Sequence, residues 1–269
     1  MYENIINSKY QNLGLYKHLF DTNKPFPHVI LDNFLSDNFF SNLQITEKEI
    51  NQSEGKKFSS EFETNKWVSK NTNLPNQIKL IIDALNSNEW INNLSKIAHI
   101  ENIFSTKVGN SKLANYHEMK NNGYLGPHVD HSDDPDTGKP HVLNLLLYLS
   151  KEWDDQWGGS TLLYDKKGKN IIEEIKYKPN RAIIFLHTPY SFHGVKKITK
   201  NNHVRSSIYV DYYANSNNPY KNFDLDFEKK WFKHGTSFVL PNFKDYFKLK
   251  NIKYVKTYIK YSLNRILSK

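Results

Sequence analysis

Residues 126–134, GPHVDHSDD, hold two histidines and three aspartates in nine positions. Imidazole and carboxylate are the donors a divalent ion takes when thiolate is absent, and this chain has no cysteine. A histidine two residues before an acid should occur roughly once by chance in a chain of this composition. Here the spacing occurs at His99/Glu101, His128/Asp130 and His131/Asp133. Residues two apart in a strand share a face, so His128 and Asp130 can chelate one ion. His131 and Asp133 run into SDDPDTGKP, whose Asp, Pro and Gly read as a loop. His131, Asp133, Asp134 and Asp136 are expected to form a solvated loop that borders the site and could touch substrate. His99/Glu101 follows a predicted helix and has no further donor near it.

A two-residue chelate needs a third protein ligand, and His141, His187, His193 and His203 are the downstream candidates. Two imidazoles and one carboxylate on one side of an ion leave positions open, the donor set of non-haem Fe(II) oxygenases. The open side takes an oxidant and a cosubstrate. A cosubstrate with a distal carboxylate calls for a guanidinium, which binds it in a bidentate fork. Arg205 opens RSSIYVDYY, and Ser207 lies on the same face two residues on.

These side chains must be held by a β-rich core. From about residue 101, short runs of β-branched, aromatic and leucine residues alternate with turn clusters. The runs are FSTKVG, KLANYHEM, HVLNLLLYL, STLLY, NIIEEIKY, RAIIFLH and RSSIYVDYY; NNGY, DDPDTGKP, WGG and KKGKN separate them. Many short strands at this spacing predict a sandwich, jelly roll or barrel. Ahead of them, PFPHVILD begins extended, Ser36 caps a short helix, and residues 51–66 read as a polar loop. Residues 74–86 carry a helical stripe at 78, 81, 82 and 85, and 89–100 reads as a second helix.

In order along the chain, NYHEMKNNGYLGPHVD, NLLLYLSKEWDDQWGGSTLLYD, YKPNRAIIFLHTPYSFHGV and RSSIYVDYY resemble the prolyl-4-hydroxylase-like branch of the Fe(II)/2-oxoglutarate-dependent dioxygenases. PFPHVILDNFLSD resembles the start of that family's domain. The resemblance spans about 112–213 most clearly. It implies a double-stranded β-helix (a cupin-like jelly roll) over about 101–215. Helices of 1–100 would buttress one sheet, and a basic helical extension would follow over 216–269. It further implies His128, Asp130 and His193 as iron ligands and Arg205 as the partner of the far carboxylate of 2-oxoglutarate. Tyr148 would hydrogen-bond that carboxylate, aided by Ser207. Asn144 and Leu146, on the strand face of Tyr148, would line the pocket. Tyr116 matches a tyrosine near the iron in relatives, and Gly158-Gly159 a tight turn. The family gap from His193 to Arg205 is shorter than the one here.

The implied cofactors are Fe(II), 2-oxoglutarate and O2, with ascorbate as an auxiliary reductant. The implied reaction hydroxylates a C–H bond while 2-oxoglutarate becomes succinate and CO2. Asp130 occupies the place that related halogenases leave to halide, which favours hydroxylation. Peptidyl proline is the first expected substrate; a free amino acid or a glycan-linked metabolite is the rival. A sensor module that binds metal and 2-oxoglutarate without turnover is the reading from another class.

Composition bounds the rest. A chain of 269 residues with 38% hydrophobic and 14% aromatic residues supports a packed core. The absent cysteine rules out disulfides, thiolate zinc sites, iron–sulfur clusters and cysteine nucleophiles. The net charge of +9 is concentrated in residues 244–269, which hold eight Lys/Arg against Asp245, leaving only +2 for the body. The basic tail therefore says little about the substrate of the body, and nucleic acid is a disfavoured partner. In 251–267, Ile252, Val255, Ile259, Leu263 and Ile266 form one stripe with lysines opposite. That helix could dock on the body, lie on an anionic membrane surface or hold a partner. Residues 1–11 lack the pattern of a secretory signal, so a cytoplasmic location, or one peripheral to a membrane, is expected.

Overall fold

The computed structural model describes residues 2–70, 72–105, 115–216, 219–221, 223, 235–240 and 259. The predicted C-terminal helix, and with it the membrane or partner role of the tail, lies outside the described residues apart from Ile259. The α-helices among the described residues are α1 (Tyr2–Ile5), α2 (Lys17–Thr22), α3 (Asp37–Ser41), α4 (Glu47–Gln52), α5 (Asn76–Leu85) and α6 (Asn88–Ala98). The strands are β1 (His28–Asp32), β2 (Gly55–Phe58), β3 (Glu63–Ser69), β4 (Ile103–Ser105), β5 (Tyr116–Val129), β6 (His141–Tyr148), β7 (Thr161–Tyr164), β8 (Ile171–Ile175), β9 (Arg181–Leu186), β10 (His193–Val195), β11 (Arg205–Ala214) and β12 (Ser237–Phe238).

They form one curled antiparallel sheet in the order β1-β9-β6-β11-β5-β10-β7-β8. The curl turns on β5. Its first part, 116–119, pairs with β11, and its second part pairs with β10 from Leu125 to His128. Between them lies NNG, which the sequence marks as a turn. The structure makes it a kink inside a continuous strand. Asn122 takes a left-handed φ of 62° and donates its backbone N–H to the Ile198 carbonyl. Residues that tolerate that conformation let the strand bend from one sheet to the other without ending. The result is the jelly roll expected from the spacing of the strands.

The sheet also reaches outside the segment 101–215. β1 pairs with β9 along its whole length. Residues 51–66, expected as a polar loop, contribute to the hairpin β2–β3, and β3 adds to β5. The GKKF of β2 lacks an alternating pattern and is mostly exposed. Its pairing to β3, not its own propensity, makes it a strand.

Alternation along the strands separates two cores. Leu143, Leu145 and Leu147 of β6 and Ile208, Val210 and Tyr212 of β11 point to the helices. There Ile78, Ile81, Ile82 and Leu85 of α5 and Trp90, Leu94 and Ile97 of α6 cover them, as the two helical stripes require. Ser36 caps α3 by accepting from the Phe39 amide. The opposite faces of the same strands look into the roll, where Tyr148, Leu163, Ile183 and Phe185 form a smaller core.

Gly158 and Gly159 both have φ near +75°. A Cβ on Gly158 would run into the Lys197 carbonyl. We expect Gly158→Ala to lower the unfolding free energy by more than ~1 kcal/mol, since both the dihedral and the space reject a side chain. Urea denaturation followed by tryptophan fluorescence measures this.

Candidate metal centre and cosubstrate pocket

β10 pairs with β5 so that His193 stands directly opposite His128. Their rings lie 4.3 Å apart. Asp130, two residues beyond His128, places its carboxylate between them: Oδ1 is 3.4 Å from His128 Nε2, and Oδ2 is 3.3 Å from His193 Nε2. Nδ1 of His128 faces the Gly126 carbonyl at 2.9 Å, and Nδ1 of His193 faces the Ser191 carbonyl at 3.1 Å. A carbonyl only accepts, so each Nδ1 carries a proton and Nε2 is the nitrogen left to meet a metal. This is the orientation in which metal-ligating histidines are held. Burial, then His128 beside it, pushes the His193 pKa down to about 4, which keeps it neutral at pH 7. Burial works against the charge of Asp130, but the imidazoles of His193 and His128 hold its carboxyl well below the usual range. Two imidazoles and one carboxylate, each able to turn a ligand atom to the same point, form a donor set that fits a divalent ion.

Two more side chains fix that carboxylate. The Tyr209 hydroxyl donates to Asp130 Oδ2 at 2.7 Å, and the Asn144 amide donates to the same oxygen at 3.1 Å. Asn144 also contacts the Tyr209 hydroxyl and donates to Asp211 Oδ1 at 3.3 Å. Asn144 thus acts behind the donor set, and the cavity is lined instead by its neighbour on the strand face, Leu146.

The cavity, about 90 Å³, runs from the triad to Arg205 and is also lined by His117, Met119, Thr161 and Ser207. Arg205 is 4% exposed. Its Nε donates to the Gly159 carbonyl at 2.8 Å, so the tight turn serves to aim the guanidinium. One terminal nitrogen donates to Ser207 Oγ at 3.4 Å. The guanidinium lies between the rings of Tyr148 and Tyr177, 5.0 and 5.1 Å from their centroids. Among the described residues no carboxylate pairs with Arg205. The Tyr148 hydroxyl shares a 2.6 Å hydrogen bond with Thr161 Oγ1, so Tyr148 walls the guanidinium while Thr161 reaches the cavity.

The structure therefore gathers His128, Asp130, His193, Arg205 and Ser207 around one cavity, with Tyr148 and Asn144 directly behind it. Tyr116 is a correction. It is on the opposite face of β5 from His117 and Met119, packs at 6.2 Å against Trp67 in the helix-side core, and donates to Glu118 at 2.9 Å. Strand parity excludes it from the cavity. The loop after Asp130 is a second correction: Ser132 and Asp134 are buried, and Asp134 accepts from Thr137. Of the other histidines considered as ligands, His141 and His187 stack on each other at 4.0 Å, and His203 packs tilted against Trp157. Tyr209 and Thr161 were missed. The signal for Tyr209 was its i+4 place after Arg205, on the same strand face; nothing local marked Thr161.

Residues 112–212 match the model of the 2OG-Fe(II) oxygenase superfamily. No curated protein matches the chain in sequence. Similar solved structures include a prolyl-4-hydroxylase of Pseudomonas putida, at TM-score 0.53 and 10% identity, covering 76% of this chain and 100% of that one. A prolyl hydroxylase of Trichoplax adhaerens, solved with a hypoxia inducible factor oxygen degradation domain peptide, gives 0.50 and 16% over 76% and 90%. A non-haem alpha-ketoglutarate-dependent carbocyclase from nogalamycin biosynthesis gives 0.52 and 10% over 76% and 85%. At these identities the likeness is one of fold.

Replacing Tyr209 with Phe removes one of two donors to Asp130 and leaves the ring in place. We expect Fe(II) affinity to fall by about 10–100-fold, measured by anaerobic metal titration. Tyr116→Phe should leave it unchanged.

Proposed function

We propose that this chain, an Fe(II)- and 2-oxoglutarate-dependent dioxygenase whose residues 112–212 are a 2OG-Fe(II) oxygenase domain, hydroxylates a peptidyl proline. In this reading His128, Asp130 and His193 hold the iron, and Arg205 with Ser207 binds the far carboxylate of 2-oxoglutarate. Bound Fe(II) and 2-oxoglutarate would supply the O2 activation and the decarboxylation to succinate.

The observation that carries the cosubstrate role is Arg205. A guanidinium that is 4% exposed, at the end of a cavity opposite a metal donor set and without an acidic partner among the described residues, calls for an anion. The Gly159 carbonyl and the two tyrosine rings fix its plane, so the fork is aimed before the ligand arrives. Thr161 and Ser207 offer hydroxyls beside it. Leu146, Met119, Leu125 and Val195 line the remainder with apolar surface, which excludes water from the reacting centre. Tyr209 and Asn144 keep the Asp130 carboxylate turned toward the two imidazoles.

The substrate is a peptide or a small molecule. Proline in a peptide is supported by the prolyl hydroxylases among the structures of similar fold, one of them holding a peptide. The carbocyclase of the same fold supports the alternative, a small metabolite. Among the described residues no helix is long and apolar enough to cross a membrane.

Anaerobic addition of Fe(II) and 2-oxoglutarate should give a visible charge-transfer band, absent in Asp130→Ala. In Arg205→Ala the 2-oxoglutarate concentration needed for half the band should rise at least tenfold. No band from the folded wild type would favour a non-catalytic module. Mass spectrometry of proline-containing peptides should show a gain of one oxygen with matched succinate. A gain only on free amino acids or glycan-linked metabolites would replace the peptide reading.

A further inference from the structure

A second group of metal donors lies behind the first: His131, His141 and Asp211 offer ligand atoms within 4.8 Å of one another, as His128, Asp130 and His193 do. His131 begins the loop after β5, His141 opens β6, and Asp211 lies on β11 opposite Asn144. The loop closes tightly. The His141 amide donates to the Ser132 carbonyl, and Asp133 bridges Pro140, which lays the His131 ring 5.1 Å from that of His141.

We propose that His131, His141 and Asp211 form a second binding site for a divalent transition ion of the zinc class, separate from the iron triad.

Three observations support it. First, Asp211 is 5% exposed, and no Lys or Arg pairs with it among the described residues. Its charge faces His141 Nε2 at 3.2 Å from Oδ1 and His131 Nε2 at 3.6 Å from Oδ2, with the Asn144 amide and the hydroxyls of Tyr209 and Tyr213 beside it. Second, His141 Nδ1 faces the His131 carbonyl at 2.9 Å, so that nitrogen carries the proton and Nε2 is the one turned to the carboxylate. Nε2 also faces the Leu143 carbonyl at 3.2 Å. An Nε2 facing two acceptors needs a cation there, either a metal ion or the proton of an imidazolium.

Third, the spacing favours a metal ion over a proton. Charge-assisted N–H···O bonds close to about 2.7–2.9 Å, and the Arg181–Asp32 pair closes to 2.5 and 2.9 Å. Ligand atoms about 2.1 Å from an ion stand roughly 3.0–3.4 Å apart at octahedral to tetrahedral angles. The first triad shows 3.4 and 3.3 Å; in the second, His141–Asp211 at 3.2 Å falls within this range and His131–Asp211 at 3.6 Å lies just beyond it, both longer than a charge-assisted hydrogen bond. The Tyr213 hydroxyl, 2.9 Å from His131 Nε2, and the Leu143 carbonyl add oxygen donors. Imidazole with carboxylate and neutral oxygen suits Zn(II). His131, with 23% of its side chain exposed, gives an ion a way in. Without a metal ion, a proton takes the position. Burial lowers the basicity of His141, and Asp211 more than restores it.

The site also touches the first one through the Asn144 amide, which donates both to Asp130 and to Asp211.

The test is a count. Chelator-stripped protein is titrated with Zn(II) against a chromophoric chelator, and bound zinc is measured after desalting. Wild type should bind two equivalents, Asp130→Ala one, and His131→Gln one. His131→Gln should keep the Fe(II)–2-oxoglutarate band, which shows that it folds and that the iron triad is intact. Asp130→Ala with Asp211→Asn should bind none. One equivalent in wild type that Asp130→Ala abolishes would overturn the proposal and leave His141–Asp211 as a proton-linked pair, and so would two equivalents retained by His131→Gln. A missing Fe(II)–2-oxoglutarate band in wild type would sink only the reading of the first triad, because the count in Asp130→Ala reports the second alone.

Discussion

The pairing of β10 with β5 sets everything that follows. Three residues, His193 to Val195, lie against Leu125 to His128 and bring an imidazole from one end of the core opposite another from 65 positions earlier. A slip of one residue would turn His193 to the other face of the sheet. The register is locked from both sides. β7 pairs with the far edge of β10, and the Gly194 backbone lies so close to the Leu125 and Gly126 carbonyls that a Cβ would clash. The kink at Asn122 lets β5 serve both sheets. Without it the strand that carries His128 could not also carry His117 and Met119 to the same cavity.

The interior is polar where an ordinary jelly-roll core would be apolar. One face of β11 carries Arg205, Ser207, Tyr209 and Asp211 into the roll, and β6 faces it with Asn144 and Tyr148. Burying such groups is costly unless each has a partner. Here Arg205 takes a backbone carbonyl and two ring faces, and Asp130 takes a tyrosine and an amide. What is left over is informative: an anion for Arg205 and a cation for the imidazole–carboxylate group. The apolar faces of the same strands meet α5 and α6, so the helices carry the packing that holds this polar interior in place.

Much of the site was legible because it follows strand parity. His128-x-Asp130 and Arg205-x-Ser207 are two-residue spacings, and the strands around them alternate clearly. Tyr148 came from the family resemblance, and the same rule put Asn144 and Leu146 on its face of β6. Tyr116 was misassigned although its strand was found, because parity relative to the cavity depends on which side of β5 faces inward. Tyr209 obeys the rule and was overlooked. The hairpin β2–β3 was hidden because its residues are polar and half exposed, and pairing alone makes them strands. His131 and Asp134 were read as solvated because Asp, Pro and Gly mark a loop; burial of that loop depends on the strands it closes over.

The sequence by itself determined the donor chemistry, the strands and their two faces, and the two helical stripes. These are set by side-chain type and by periods of two and 3.6 residues, which are local. Spacing alone left four histidines open and the family resemblance pointed to His193; only the tertiary structure brought it opposite His128, and it alone decided which tyrosine holds Asp130 and that Thr161 stands beside Arg205. Those choices depend on register and on the bend at Asn122, which bring together residues separated by dozens of positions, and no local period encodes them.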